Sequence, residues 1–317
     1  MPSWNIHEAI AEILGYPKPL ARRINEFIDK NRVHDIGRRL PRVRQWTDLY
    51  LGLGVSRRKC EELAPLMLLI QSHEGADLFY LHHALDTFLS ERIASAILIN
   101  ADIMERKEVI LEGLTLDLKY LHDKLTKAVR KCFGSSYTIP YHSEILITRL
   151  RDNWGEIISL KDYVNWIRSS FIEDRLNLER MNLHKVIHEI VNISKRKADK
   201  YKPLTRIYDE ELRKEFEEAA RKNYFKGIVL HETSLLVLKR SRLYDYILTY
   251  GGKRYLINEL LKSIKPYYNE PRILRKVLEG FINVYVRGVK IPCQVIDKYI
   301  SEISRARQIL EGGCNYQ

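Results

Sequence analysis

The longest unbroken apolar periodicity in the chain runs from Glu61 to Leu125. Within it Leu78, Leu81, Leu85, Phe88/Leu89, Ala96 and Ile99 recur at three- and four-residue steps, which predicts a helix of about five to six turns with one buried face, stopping at Asn100. A second short helix follows through Val109–Leu111. The register then changes: Leu114, Leu116 and Leu118 alternate with Thr115, Asp117 and Lys119, the spacing of a strand. On either side of this block the pattern gives more elements. Ile6–Leu14 reads as a short helix ended by the Gly15–Pro19 break, and Leu20–Ile28 as a second with Ile24, Phe27 and Ile28 facing inward.

Residues 136–147 (SYTIPYHSEILI) and Gly155–Ser159 read as further strands, the first because Tyr137, Ile139 and Tyr141 alternate. Paired with Leu114–Leu118 they predict a small antiparallel sheet against helices. Ser159, with Asp162 three residues on, has the form of a capping box for a helix whose stripe is Tyr163/Val164, Ile167 and Phe171. From Asn182 to Asn223 the pattern is charged helix, break at Pro203, charged helix; DEELRKEFEEAARK has almost no apolar face to bury and reads as a linker. Beyond it lie helices broken at Gly251–Gly252 and Pro266, a hairpin over residues 282–291 around Arg287–Gly288, and a last helix over 294–310. The expected fold class is therefore mostly α with an α+β element. A helical N-terminal domain with a small antiparallel sheet (1–179) docks a partner, a charged helical linker follows (180–225), and a basic helical domain (226–317) binds nucleic acid.

Charge sharpens this division. The chain of 317 residues carries 53 Lys and Arg against 41 Asp and Glu, a net +12. The excess is concentrated: residues 18–59 hold twelve basic and four acidic side chains, residues 226–290 thirteen and five, and the rest sums to −4. A thermophile's surface of ion pairs accounts for 30% charged residues, but not for their one-sidedness. Two basic territories on a mildly acidic frame point to a polyanion, because phosphate neutralisation dominates nucleic-acid affinity. No apolar run approaches the roughly 20 residues of a membrane helix, and Met1–Asn5 does not lead into a signal-peptide core, so the expectation is a soluble, cytoplasmic protein with no membrane contact.

Candidate chemistry divides the same way. In the segment RVHDIGRRLPRVR, Arg38, Arg39, Arg42 and Arg44 are available to phosphate or to an acidic partner protein. In the C-terminal region aromatic and basic residues interleave. Arg240, Arg242, Lys253, Arg254, Arg272, Arg275 and Lys276 are the candidates for backbone contact, and Tyr267 and Tyr268 for base stacking. That assignment requires the seven cations to share one surface. His73, Asp77, His82, His83 and Asp86 are the ligand types of a divalent-metal phosphohydrolase. The spacing argues against a site, since His82 and Asp86 can share a helical face but His83 lies about 100° away and there is no HExxH pattern. His184 and His188, one turn apart, lack a carboxylate or cysteine to complete a site. The default is packed or exposed histidines, with no metal and no catalytic residue assigned. Cys60, Cys132, Cys293 and Cys314 contain no CxxC pair and read as scattered thiols, without a zinc ribbon or a disulfide framework.

The run from Leu78 to Ser170 resembles the N-terminal part of the large, non-catalytic (regulatory) subunit of archaeal/eukaryotic-type DNA primase. YLHHALDTFLSERIASAIL, ERKEVILEGLTLDL, YTIPYHSEILI and WGEIISLKDYVNWIRSSF stand where that family has a helix, a charged segment, a strand and a strand–helix unit, and PYYNEPRILRKVLEGF resembles its C-terminal pattern. The resemblance implies a hetero-oligomer in which this chain binds the catalytic primase subunit and holds single-stranded DNA or primer–template during primer synthesis. It also implies a 4Fe–4S cluster on four cysteines. Here no cysteine lies between Cys132 and Cys293, and two thiolates do not hold a cubane, so no cofactor is expected. Two other functions fit the same charge and histidines: a helical subunit of an RNA-guided (CRISPR-type) defence complex, and a metal-dependent phosphohydrolase.

Overall fold

The computed structural model describes residues 3–30, 57–141, 143–201, 203, 206–286 and 288–313. Arg38, Arg39, Arg42 and Arg44 lie outside the described residues. Among those described there is no strand, and no helix is long and apolar enough to cross a membrane. The chain divides into two units, one of residues 1–174 with 248–254 and one of residues 175–247 with 255–317. Residues 180–225 fall within the second of these units.

The first unit is built around a single helical rod. Helix α4 (His73–His83) passes through a π-helical turn (Ala84–Phe88) directly into α5 (Leu89–Leu98). Ser72 caps its start by accepting from the Gly75 amide at 3.0 Å, and Asn100, in the left-handed region at φ 54°, ends it where the periodicity predicted. Every residue from Gly75 to Ala96 is buried. The sequence predicted one buried face; the rod is enclosed on all of them. Helices α1 (Trp4–Ile13) and α2 (Lys18–Lys30), joined at Gly15 with φ 76°, pack on each other and against the rod. Ile24 and Ile28 are fully buried, as their spacing required.

Helix α6 (Lys107–Phe133) replaces the first expected strand. Leu111, Leu114, Leu118, Leu121 and Leu125 line its buried face, while Leu116 is exposed. Leu114 and Leu118 are one helical turn apart, so a Leu-x-Leu-x-Leu window of five residues satisfies both periods; the flanking leucines decide for the helix. The other two expected strands are also helical: α7 (Ser143–Asp152) and α8 (Trp154–Ser159), preceded by an extended segment at Tyr137–Tyr141 that pairs with no strand. The small antiparallel sheet is therefore absent among the described residues. Burial of Leu146, Ile147 and Leu150 on one side of α7, and of Trp154 and Ile157 on α8, gives each of these short helices a core face. In α9 (Lys161–Ile167) Tyr163 and Ile167 are buried as predicted, but Ser159 is no cap, because its hydroxyl donates to the Glu156 carbonyl. A second π turn (Arg168–Ile172) leads into α10 (Glu173–Arg180).

Cys60 on α3 (Arg57–Leu69) and Cys132 on α6 form a disulfide, where the sequence predicted only separate thiols. Packing of α3 on α6 brings their Cα atoms to 5.3 Å, inside the range a disulfide spans, although 72 residues separate them. Spacing along the chain carries no sign of such a contact.

In the second unit α11 (Leu183–Ala198) packs against α12 (Glu210–Arg240), and both pack against α16 (Cys293–Gly313). Leu183, Val186, Ile187 and Ala198 on α11 are buried, which is why this charged segment belongs to a core. Asn182 and Asp209 cap α11 and α12 with side-chain oxygens. Helices α13 (Leu243–Gly251), α14 (Tyr255–Ile264), a 3-10 turn (Lys265–Tyr267) and α15 (Pro271–Tyr285) follow. Where a hairpin was expected, α15 continues to Tyr285 and the chain turns at Gly288, with φ 81°. The last helix is α16, with Ile296, Tyr299, Ile303, Ala306 and Leu310 facing inward.

Candidate functional site

The seven cations expected on one surface divide between the two units and differ in burial. Arg240 is 7% exposed, with Nε donating to Glu302 at 2.9 Å and Nη1 to the Leu178 and Met181 carbonyls at 2.5 and 2.8 Å. It stitches chain ends inside the second unit, because a buried guanidinium must find acceptors for its donors. Arg242 pairs with Glu179, and Arg275 with Asp297 and Glu279. Lys253 and Arg254 belong to the first unit, where Lys253 pairs with Glu112 at 3.3 Å and Arg254 with Glu91 and Asp117. Tyr268 is buried and donates to Ser234 Oγ at 2.7 Å; burial raises its phenol pKa. Arg272 and Lys276, one turn apart on α15, are exposed and make no ion pair among the described residues, with half-buried Tyr267 just before them.

Much of the exposed positive charge stands elsewhere in the second unit. Lys195, Arg196 and Lys200 crowd the C-terminal end of α11, and Lys222 lies exposed on α12. Beside them the Tyr201 and Tyr224 rings stack at 4.3 Å, and Tyr208 is fully exposed. Sequence reasoning passed over this cluster because it fell in the supposed linker. The second unit carries 27 Lys and Arg against 17 Asp and Glu, a net +10, while the first carries 26 against 24, a net +2. Nearly all the chain's excess is on one body.

Inside the first unit two polar clusters interrupt the rod. In the first, Arg92 is fully buried; its Nη2 donates to Asp117 Oδ2 and its Nη1 to the Gly252 carbonyl, each at 2.6 Å. Arg254 reaches the same Asp117 oxygen at 3.1 Å and Glu91 at 2.5 Å, and its guanidinium lies over the Phe88 ring. The signal for this network was present but unread: Arg92 falls on the stripe of Leu85, Leu89 and Ala96, an apolar face where a charge must be paired.

The second cluster gathers His7 from α1, Asn25 and Asp29 from α2, and His82 and Asp86 from the rod. His7 Nε2 is 3.2 Å from Asp86 Oδ1, and His82 Nε2 is 3.4 Å from Asp86 Oδ2 and 3.8 Å from Asp29 Oδ1. His82 Nδ1 faces Asn25 Oδ1 at 2.9 Å, and the two imidazoles stack at 4.5 Å. One ligand atom from each of His7, His82 and Asp86 fits within a 4.8 Å group. Burial lowers the His82 pKa, with Asp86 opposing. The sequence paired His82 with Asp86 correctly but could not supply His7, 75 residues away. Of the other histidine-set members, His83 stacks edge-on against Phe79, Asp77 accepts from Tyr16, and His73 opens the rod at its exposed end. His184 and His188 touch each other at 4.7 Å and are exposed.

No family model, curated protein or solved structure matches the chain. The reading of its function rests on these clusters and on the distribution of charge.

Proposed function

We propose that this chain is a non-catalytic, nucleic-acid-binding subunit, the second unit making the phosphate contacts and the first serving as a protein platform. The observation that carries the proposal is the partition of charge, +10 on the second unit against +2 on the first. Ion-pair networks for stability would leave each unit near balance, whereas a body with ten uncompensated cations attracts a polyanion over several ångströms and releases counterions on contact. The outer faces of the half-buried Tyr201, which follows Lys200, and of Tyr224 stacked on it are offered to unstacked bases, so single strands suit the surface better than a duplex. The specific form of the proposal, a DNA primase large subunit bound to its catalytic partner, is supported by the sequence resemblance; of the segments that resemblance aligns with strands, Ser143–Ile147 and Trp154–Ser159 are helical here.

The test is anisotropy binding of single-stranded DNA and RNA oligonucleotides to the full chain across a salt series. Affinity should fall with a log–log slope of about −2 to −4, equivalent to roughly three to six phosphates. A flat salt response would remove the nucleic-acid reading. Copurification from native extract then separates the two assemblies: a catalytic primase subunit for one, a guide RNA for the RNA-guided complex. Phosphoester hydrolysis is not part of the proposal, because His7, His82 and Asp86 are all buried and a hydrolytic metal needs an open coordination position.

A further inference from the structure

We propose that His7, His82 and Asp86 form a structural site for one divalent transition-metal ion, zinc being the best match, that clamps α1 to the central rod of the first unit. Two segments far apart in sequence, α1 and the rod, deliver these side chains to one buried point. Metal–ligand bonds of about 2.0–2.1 Å in a tetrahedron hold ligand atoms roughly 3.4 Å apart. Asp86 Oδ1 is 3.2 Å from His7 Nε2 and Asp86 Oδ2 is 3.4 Å from His82 Nε2, and one ligand atom from each of the three residues lies within 4.8 Å of the others, so a small inward shift brings the set to that spacing.

The outer nitrogens point to a cation between these groups. His7 Nδ1 lies 3.4 Å from the Ser3 carbonyl, and His82 Nδ1 lies 2.9 Å from Asn25 Oδ1. Oxygens of this kind only accept, so each Nδ1 carries a proton and each Nε2 is the nitrogen that faces Asp86. Metal-bound histidines show this same outer hydrogen bond, which fixes the tautomer and aims the inner nitrogen.

Two further features fit. Asp86 sits in the π turn Ala84–Phe88, and π turns interrupt α-helices mostly where a side chain is being placed for a function. Asp29, which accepts from the Trp4 indole, is 3.8 Å from His82 Nε2. The group whose ligand atoms lie within 4.8 Å of one another is His7, His82 and Asp86, two imidazoles and a carboxylate. Such a set takes zinc and its neighbours in preference to calcium, which seeks six to eight oxygens. The site shares no residue with the proposed nucleic-acid surface, so the two proposals stand or fall separately.

The test uses the full chain, purified without chelator and with any affinity tag removed. Elemental analysis should find close to one zinc, or a neighbouring divalent metal, per chain. After exhaustive chelation the melting temperature should drop and return with one equivalent of zinc, and cobalt should give the visible absorption of a tetrahedral centre. Asp86→Asn and His7→Gln should each weaken zinc binding at least tenfold, and His7→Gln keeps the test open if Asp86→Asn does not fold. If no metal is retained, and added zinc or cobalt changes neither melting nor absorption, a proton bridges the cluster and the proposal is overturned. Undiminished metal binding by both variants would overturn it equally.

Discussion

Arg92 and Asp117 meet at 2.6 Å, with the arginine wholly enclosed and the aspartate shared with Arg254. One carboxylate is thus shared by two guanidinium groups, with Glu91 pairing Arg254 as a second acid. Removing one member of a buried pair leaves a charge without its counterion and costs about 3–5 kcal/mol. Asp117→Asn should lower stability by that amount in urea unfolding; a loss below about 1 kcal/mol would mean that water reaches the guanidinium.

Two glycines in helices should respond in opposite directions to alanine. A Cβ on Gly113 would fall 1.8 Å from the Gly252 carbonyl and 2.5 Å from Arg92 Nη1, so Gly113→Ala must push apart α6 and the turn after α13. Gly227 has nothing within 4 Å of such an atom, and Gly227→Ala should stabilise by about 0.5–1 kcal/mol by restricting the unfolded chain. Thermal melts of the pair of variants check both signs.

Reduction of Cys60–Cys132 releases a loop of 72 residues. Chain entropy assigns such a closure about 4 kcal/mol. Reductant should therefore lower the melting temperature of the wild type and leave Cys132→Ser unchanged; equal melting with and without reductant would show that the bond does not form in solution.

Arginines in the second unit should separate by role. Arg240→Ala removes an internal clamp and should cost about 3 kcal/mol in stability while leaving the salt slope of oligonucleotide binding intact. Arg272→Ala with Lys276→Ala should do the reverse, changing stability by less than about 0.5 kcal/mol and flattening the slope by roughly 1.4, at 0.7 per phosphate. A slope unmoved by the double variant would shift the phosphate contacts to the α11 end.

His122 gives a pH prediction. Burial lowers its pKa below the usual 6.5, with Asp123 opposing and Arg130 assisting; the Tyr80 hydroxyl at 2.8 Å, the stacked Tyr141 ring and Thr126 complete its surroundings. The folded state binds this proton less readily than the unfolded one. Its contribution is therefore complete above about pH 6.5 and is lost as pH falls from there through the lowered folded value. The imidazole NMR titration of the native protein should show a midpoint below 6.5, and His122→Gln should reduce the loss of stability on acidification.

Helices with long stripes were legible in the sequence: the rod, α2, α9 and α16 follow from Leu85, Ile24, Ile167 and Ile303 and their neighbours at three and four residues. The strand at Leu114–Leu118 failed because it was read in a window short enough that two periods coincide, and Leu121 and Leu125, which extend the helical stripe through Leu114 and Leu118, lay just outside it. The alternation of Tyr137, Ile139 and Tyr141 does fall on extended backbone, but no strand pairs with it among the described residues and a helix begins at Ser143. The sites were less legible because they are long-range. His7 meets Asp86, and Arg254 meets Glu91, through packing of helices that no local pattern connects. Counting cations located the basic territory well enough, but could not tell that Arg240 and Arg254 face inward, since a buried arginine and an exposed one look alike until their acceptors are known.

Helix α12 is one continuous element with two kinds of support. None of the residues from Glu210 to Gly227 is buried, and that stretch of about 27 Å is held by its aspartate cap and by pairs such as Lys214–Glu210 and Arg221–Glu217. From Val229 to Arg240 tertiary packing takes over. Backbone amides along the helix should accordingly fall into two hydrogen-exchange classes, the first half opening at the cost of weak surface pairs and the second only with the unit's core. Added salt weakens the first class and spares the second, so the N-terminal half of α12 behaves as an ionic-strength-dependent arm carrying Phe216 and Tyr224 on a fixed base.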